Sequence, residues 1–283
     1  MGSYTFANLQ TRISAEISDA SNTNVSVAKV KSAIVSAIEF YERERVWFDE
    51  HVSVDTVTVA SFPGVAVPTD MVYIDKVQCA SVTTFTGTTS SGAATITSMS
   101  SQTGLAVGQV IKGTGIPAST YIKSIDSATQ ITMGDIFGAS VNATASAAVT
   151  ITAFTGNPFP LDEISYDEWS DYSYGATGTS QPVMYTYYQD RLLLYPTPNA
   201  VYGLTIGYVK RITTLSADGD NNGWTNFAEP LIRSRAKWDI FEHILYMPGL
   251  AKPCKLEELE TFQKFEQENI MRMTVGRTRA VYL

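Results

Sequence analysis

Five short stretches between residues 93 and 154 carry the clearest structural signal in the chain. Each one alternates Ile, Val or Met with Thr, Ser or other small and polar residues: AATITSM (93–99), GQVIKG (108–113), TYIKSID (120–126), TQITMG (129–134) and AAVTITAF (147–154). A period of two predicts strands with one buried face. Their even spacing, with turn-forming residues between them, predicts a small sandwich or barrel.

The segment 83–155 that contains these stretches differs in composition from its surroundings. Of its 73 residues, 45 are Thr, Ser, Ala or Gly, and the charged residues are Lys112, Lys123, Asp126 and Asp135. Such a composition is also typical of disorder, but the recurring β-branched residues favour a folded β-module. Thr-rich strands lie at both ends of the segment. We therefore predict a domain inserted into a host domain, with its two ends side by side.

The N-terminal region predicts two helices followed by two strands. Leu9, Ile13 and Ile17 recur every four residues, and a second helix begins after Asn24 or Ser26. One face of this second helix carries Val27, Val30, Ile34, Ile38 and Tyr41. The sequences VSVDTVTV (52–59) and MVYIDKV (71–77) then alternate with a period of two, which predicts strands.

The C-terminal region predicts strands and then helices. The sequences QPVMYTYYQD (181–190), RLLLYPTP (191–198) and YGLTIGYVKRI (202–212) indicate three antiparallel strands, with a hairpin turn at Gln189-Asp190. Asn226 and Glu229 resemble a capping box at the start of the following helix. A last helix is predicted from about Pro253 to Gly276, with an inner face formed by Leu256, Leu259, Phe262 and Phe265.

These elements together predict an α+β protein. A helical bundle scaffold with antiparallel strands occupies residues 1–82 and 156–283, and a small all-β domain is inserted at 83–155. Residues 274–283 are expected to form an extended C-terminal arm.

The overall composition excludes several classes of protein. The chain has 20 basic and 28 acidic residues, a net charge of −8, which excludes a generally basic nucleic-acid binder. Two cysteines cannot form a disulfide framework and favour a reducing compartment. The N-terminus shows no signal-peptide pattern, and no apolar run approaches the roughly 20 residues that cross a bilayer.

Motifs for catalysis or metal binding are weak. The sequence contains no HExxH, CxxC, GxxxxGK[ST] or GxSxG pattern. A partial match to a calcium loop comprises Asp218, Asp220, Asn222, Gly223 and Glu229, but a polar loop that caps a helix is the favoured interpretation. We expect no catalytic, cofactor-binding or metal-binding residues.

One acidic cluster could in principle supply the carboxylate pair of a glycoside hydrolase, and it comprises Asp162, Glu163, Asp167, Glu168 and Asp171. A solvated face is the favoured interpretation, because such a pair needs pKa values set by burial.

The sequence YERERVWFDE (41–50) has two possible roles. Alternating Glu and Arg followed by two aromatic residues is typical of a solvated helix end with aromatic anchors. Trp and Arg are also enriched at subunit contacts. The candidates for such contacts are Arg43, Arg45, Trp47 and Phe48.

The order of these segments resembles the head–tail adaptor proteins of tailed bacteriophages, also called connector or head-completion proteins. The most specific part of this resemblance is a motif of Gln181-Pro182, Tyr185, Leu192, Leu194, Tyr195-Pro196 and Pro198. The resemblance covers roughly residues 5–82 and 156–283. Residues 83–155 depart from simple adaptors and resemble a β-module that recurs in phage structural proteins.

The resemblance implies a structural virion protein at the neck of the particle, assembled in the host cytoplasm. Twelve copies would form a ring between the portal protein and downstream tail or nozzle proteins, with helices as the wall. Viral DNA would pass through the lumen during retention and ejection, without sequence-specific binding, and no membrane is involved. A portal-binding arm would contain Arg272, Arg277, Arg279, Val281, Tyr282 and Leu283.

The charge distribution is compatible with a DNA conduit. Residues 231–283 hold nine basic and seven acidic side chains, so the acidity lies mainly elsewhere in the scaffold. An acidic lumen would not bind phosphates by counterion release. The alternative is another phage tail component, a tube or fibre-attachment protein, whose β-module is the main interaction surface.

Overall fold

The computed structural model describes residues 4–275 except residues 20, 22 and 177. Arg277, Arg279, Val281, Tyr282 and Leu283, which the sequence assigns to a C-terminal arm, lie outside the described residues. The chain is a mixed α+β protein, as predicted. It divides into two compact units: Met1–Glu50 with Lys210–Leu283, and His51–Val209.

The first unit is built from helices. They are α1 (Phe6–Glu16), α2 (Val27–Tyr41), α4 (Gly223–Phe227), α5 (Glu229–Asp239) and α6 (Pro248–Val275). Helix α3 (Tyr166–Ser173) lies in the second unit. A 3-10 helix at Trp47–Asp49 follows α2, and a π-helix at Ile240–Ile244 continues α5.

The two N-terminal helices confirm the predicted pattern except at Val27, which is 43% exposed at the start of α2. Leu9 and Ile13 of α1 and Ile34 of α2 are fully buried, because their spacing places them on one helical face. Thr5 caps α1 by accepting a hydrogen bond from the Asn8 amide at 3.3 Å. Ser26 is the N-cap residue of α2, without a side-chain hydrogen bond.

The predicted capping box at Asn226 and Glu229 is wrong. Asn222 caps α4 instead, accepting from the Thr225 amide at 3.1 Å while the Thr225 hydroxyl accepts from the Asn222 amide at 3.0 Å. Glu229 is buried and forms ion pairs with Arg12 and Arg233, each at 3.1 Å. The position of the cap is ambiguous in the sequence, because residues 221–226 offer several polar side chains that could cap a helix. Pro230 correctly indicates the start of α5.

The last helix differs from its prediction in two ways. It begins at Pro248, five residues before Pro253, since a proline near the start of a helix removes few hydrogen bonds. Its core-facing residues are Ala251, Cys254, Glu258 and Phe265. Leu256 and Leu259 are exposed, contrary to the prediction. A spacing of three residues turns by 300°, so the nine residues from Leu256 to Phe265 rotate the side chain to the opposite face.

Strands form most of the second unit. Those named below are β1 (Glu50–Val57), β2 (Gly64–Ala66), β3 (Met71–Thr89), β4 (Thr95–Thr97), β5 (Val110–Gly113), β6 (Thr120–Ser127), β7 (Gln130–Gly134), β8 (Ala147–Phe154), β9 (Phe159–Pro160), β10 (Asp162–Glu163), β11 (Thr179–Ser180), β12 (Met184–Tyr188), β13 (Arg191–Tyr195), β14 (Thr197–Pro198) and β15 (Tyr202–Lys210).

Six of these strands close into an antiparallel barrel. The second half of β3 pairs with β4, and the path continues through β7, β6, β5 and β8 back to β3. The five strands predicted between residues 93 and 154 are confirmed. The barrel has its own apolar core, which includes Phe85, Ile96, Ile111, Ile122, Ile131, Met133 and Ile151. Closure resolves the choice between sandwich and barrel, because it leaves no strand edge on this path.

A second core lies where the first half of β3 meets other strands. Val77 and Cys79 of β3 pack with Leu192 and Leu194 of β13 and with Ile206 of β15. The hairpin of β12 and β13 is confirmed, and its turn residues Gln189 and Asp190 both have positive φ angles. Such φ values at both central residues are typical of a type I′ turn.

The prediction that β15 is the third strand of this hairpin sheet is wrong. β13 pairs with β12 on one side and β2 on the other, so it has no free edge. β15 instead lies between β1 and β3 in the large sheet. Leu204, Ile206 and Tyr208 are buried on one face of β15, and Gly203 and Val209 are buried on the other, which fits a central strand.

The barrel core makes a direct stability prediction. Ile131→Ala removes a side chain with no exposed surface and should lower the free energy of unfolding by about 2–5 kcal/mol, because a cavity remains. Ile136→Ala, at an exposed barrel turn, is the matched control and should change it by less than about 0.5 kcal/mol. Urea unfolding followed by circular dichroism measures both, and equal effects would contradict the assignment of the core.

Candidate functional site

The predicted subunit-contact residues lie in the segment 42–49, which connects α2 to β1 and is called the corner below. Val46 is buried, and Trp47 and Phe48 begin the 3-10 helix that follows it. Both aromatic side chains are partly buried against the core of the first unit. Arg45 forms an ion pair with Glu50 at 2.9 Å. The structure thus places Trp47 and Phe48 within an internal cluster of rings.

This cluster explains why two aromatic residues occur together at the corner. The ring of Phe48 packs edge-on against Trp224 with centroids 5.3 Å apart and stacks on Phe227 at 5.5 Å. The ring of Trp47 lies 5.6 Å from that of Phe265 on α6. Position 223 must be glycine, because a Cβ atom there would meet the Phe48 ring at 2.2 Å. Aromatic pairs of this kind stabilise a fold beyond their buried area.

Helix α6 holds the corner through one side-chain amide. The Asn269 Oδ1 atom accepts from the Trp47 amide at 3.1 Å, and the Asn269 Nδ2 atom donates to the Arg45 carbonyl at 2.8 Å. The Arg272 guanidinium lies 4.6 Å from the Trp47 ring centroid and pairs with Glu268. The structure therefore brings together Arg272, assigned to the arm, and Trp47, assigned to subunit contacts.

A shallow groove lies beside this corner on the outer surface of α2. Its lining residues are Ser36, Glu39, Phe40, Arg43 and Glu44. Arg43 is therefore the predicted contact residue that faces this groove, whereas Trp47 and Phe48 belong to the internal cluster.

Glu258 forms a buried polar site that the sequence analysis missed. Its carboxylate accepts a hydrogen bond from the Tyr41 hydroxyl at 2.7 Å, and it pairs with Arg235 at 3.1 Å and with Lys255 at 2.9 Å. Burial and the neighbouring Glu258 carboxylate raise the pKa of Tyr41, so the phenol stays protonated and donates. The periodicity of Ala251 and Cys254 was the available signal, because it places residue 258 on the buried face.

Arg235 links this buried carboxylate to the outer surface. Its guanidinium lies 3.9 Å from the Phe40 ring centroid and 4.3 Å from that of Trp238. Lys255 approaches the Trp238 ring at 4.8 Å. Arg235 and Lys255 therefore both pair with the Glu258 carboxylate while they pack on aromatic rings. The two cations offset the desolvation cost of burying the negative charge of Glu258.

Asp49 is a second carboxyl group in an unusual environment. It ends the 3-10 helix, and burial together with the nearby negative charge of Glu42 raises its pKa to about 7. Ionisation of Asp49 is therefore less favourable in the folded protein than in the unfolded chain.

The acidic cluster considered as a hydrolytic pair is solvated. Asp162, Glu163, Asp167, Glu168 and Asp171 are all exposed. Glu168 completes a capping box at the start of α3, where its carboxylate accepts from the amide of Ser165 at 3.1 Å. The cluster therefore lacks the burial that separates the pKa values of a general acid and a base.

The acidic residues of loop 218–229 are directed to different partners. Asp218 pairs with Lys31 at 2.7 Å, and Asp220 accepts from the amides of Ser216 and Ala217. Asn222 caps α4, as described above. Within the described part of the chain, no group of three or more His, Cys, Asp or Glu side chains is arranged to hold a metal ion.

Among the helices that the structure describes, none is both long and apolar enough to cross a membrane.

Comparison with known protein families gives one match. The family model described as SU10 adaptor protein matches residues 138–267. The matched residues include α3, the β12–β13 hairpin, β15, α4, α5 and most of α6. A search of curated proteins finds no match to this chain. The family match confirms the resemblance to phage adaptor proteins that the sequence predicts.

The Glu258 site makes a prediction with a neighbouring control. Glu258→Gln should lower the free energy of unfolding by about 1.5–3 kcal/mol, because Arg235 and Lys255 lose a charged acceptor in a buried place. Glu257→Gln removes only an exposed partner of Lys237 and should cost less than about 1 kcal/mol. Thermal and urea unfolding compare the two variants, and equal losses would refute the role of burial.

Asp49 makes a pH prediction. Its folded-state pKa is raised above the unfolded value, so its stabilising contribution is complete below about pH 4 and is lost as pH rises through about 7. Asp49→Asn should remove this decline and should make the protein more stable than the wild type at pH 8. Urea unfolding at pH 4, 6 and 8 measures the difference. A difference between the two proteins that is constant with pH would contradict the raised pKa.

Proposed function

We propose that this chain is a structural protein of a tailed-phage virion that forms a ring between the portal and the tail. The proposal depends on one observation, the match of residues 138–267 to the SU10 adaptor protein family. That match indicates a phage adaptor that associates with other head or tail proteins. A ring of twelve copies and a DNA conduit are the finer parts of the proposal.

In this proposal the helices of the first unit form a bundle that serves as the ring wall. Support comes from their common core, which joins α1, α2, α5 and α6 through residues such as Leu9, Ile34, Leu231 and Phe265. Residues 83–155 are proposed to be an inserted domain. Support for this part comes from the barrel core, whose buried members all lie between Phe85 and Ala153.

The proposed conduit would be lined by acidic residues. The net charge of −8 supports this, because an acidic lumen repels DNA phosphates and permits passage without sequence-specific binding. We also propose that the chain performs no catalysis. The exposed carboxylates of residues 162–171 support this part.

The C-terminal residues are proposed to bind the portal protein. Arg272, Arg277 and Arg279 are followed by Val281, Tyr282 and Leu283, a short basic and apolar segment without acidic residues. Downstream tail or nozzle proteins would bind the opposite end of the ring. The protein would assemble in the host cytoplasm and remain at the head–tail junction of the virion.

A specific observation favours a second candidate function, a tail tube or fibre-attachment protein whose barrel is the main interaction surface. The turn from Asp135 to Gly138 presents a Phe137 side chain that is 92% exposed. Asp135 accepts hydrogen bonds from the amides of Phe137 and Ala139, at 2.9 and 2.8 Å, which stabilises the turn. The adjacent Ile136 is 69% exposed, and contiguous exposed apolar side chains are typical of protein contacts.

Truncation of the C-terminus tests the adaptor proposal. Removal of residues 272–283 should abolish binding to the portal protein of the same virus while far-UV circular dichroism changes little, because only the last turn of α6 is lost and its buried residues up to Phe265 remain. Phe137→Ala, on the barrel, is the control and should bind the portal normally. Electron microscopy of portal complexes and co-sedimentation give the readout. Portal binding by the truncated chain, or loss of binding only with Phe137→Ala, would favour the second candidate.

A further inference from the structure

Helix α6 carries an apolar ridge on the side away from the core. Its members follow each other at intervals of three residues: Pro253, Leu256 and Leu259. All three are exposed, and the exposed fractions of Leu256 and Leu259 are 62% and 49%. Residues three apart form a continuous inclined row on a helix surface. Leu256 and Leu259 are the two members of the predicted apolar row that the structure leaves exposed.

Helix α2 carries a shallow groove on its outer surface, with Phe40 as its apolar residue. Ser36, Phe40 and Glu44 form one row at intervals of four residues, and Glu39 and Arg43 form the next. Arg43 and Glu44 lie just beyond the end of α2. Phe40 is 53% exposed, and the Arg235 guanidinium covers one face of its ring. The groove between two rows of this kind accepts a ridge of residues three apart.

The ridge and the groove of one copy face away from each other. Leu256 points opposite to the buried Phe265, because nine residues are two and a half helical turns. On α2, Ala37 and Ile38 are buried in the same core, whereas Ser36 and Phe40 lie on the outside. Both elements therefore flank one core, and contact between the two surfaces requires a second copy.

We propose that the α6 ridge of one copy packs into the α2 groove of the next copy. This inference rests on the proposed ring and names the two surfaces that meet in it. A ridge of residues three apart packed into a groove between rows four apart gives helices crossing at about 20°. Two different surfaces on each copy make the contact heterologous, which is the kind that closes into a ring.

Charges beside the two surfaces are complementary. The groove contains Glu39 and Glu44 together with Arg43, and the ridge is flanked by Lys252 and Glu260. Lys252 and Glu260 each lie four residues from Leu256, on the same side of the helix. Arg43 can therefore pair with Glu260, and Glu39 or Glu44 with Lys252. This arrangement uses one of the contact residues predicted from the sequence, Arg43.

Disulfide trapping of the full-length protein tests this contact. The variant with Ser36→Cys and Leu256→Cys, concentrated and oxidised, should give a ladder of covalent oligomers on non-reducing gels. Each copy then offers one thiol on the groove and one on the ridge. The native Cys79 and Cys254 are buried and stay present in every sample.

Two controls define the background. Ser36→Cys alone and Leu256→Cys alone should give no species above a dimer. The pair Ser36→Cys with Ser170→Cys, which places the second thiol on exposed α3, should cross-link no more than the single variants. A ladder no stronger than that of this control pair would overturn the inference.

A second variant gives an independent measurement. Leu256→Glu with Leu259→Glu should leave the melting temperature within about 2 °C of the wild type, because both side chains are exposed. The same variant should abolish the higher oligomers that chemical cross-linking traps in the concentrated wild-type protein. Unchanged oligomers in a folded variant would refute the contact.

The outcomes separate this inference from the proposed function. A closed ring without the Ser36–Leu256 cross-link would overturn the contact and leave the ring proposal intact. A cross-linked ladder that grows into open filaments without closing would support the contact and contradict the ring. Native mass spectrometry and negative-stain microscopy of the trapped species distinguish these results.

Discussion

The first unit depends on the joining of two chain segments that are separated by residues 51–209. Tyr41 and Glu258 form a buried hydrogen bond across this separation, and the rings of Trp47 and Phe265 pack beside it. Closing so long a loop costs conformational entropy that grows slowly with length. A continuous core of aromatic and aliphatic side chains from both segments offsets that cost. The barrel can therefore occupy the intervening chain without weakening the helical unit.

The difference between local patterns and contacts distant in sequence explains which parts of the fold were predictable. Strands of the barrel follow a local alternation of Ile and Thr, and all five were found from sequence. The partner of β15 depends on which strand edges remain free, because β2 already occupies the second edge of β13. Residues 64–66 carry no local sequence pattern that predicts the pairing of β2 with β13. The face of α6 was misassigned because residues three apart look periodic over one turn but drift around the helix over three.

The candidate site likewise contains residues that the sequence identified and a residue that it did not. The sequence identified residues 41–50 as unusual, yet two of its candidates, Trp47 and Phe48, stabilise the corner internally. Arg43 remains at the outer groove. Glu258 was missed because a charged residue in a helix is usually solvated, and its burial depends on Arg235 and Lys255 from across the core and along α6. Long-range pairing of this kind cannot be read from spacing alone.

Strand β3 gives the barrel a rigid connection to the rest of the second unit. Its first half contributes Val77 and Cys79 to one core, and its second half contributes Phe85 to the barrel core. β8 pairs with this second half along eight residues, from Val82 opposite Phe154 to Thr89 opposite Ala147. The family match begins at residue 138 and so includes β8. The barrel is therefore joined to the rest of the second unit by a continuous hydrogen-bonded strand, in contrast to a domain that is attached by a flexible linker.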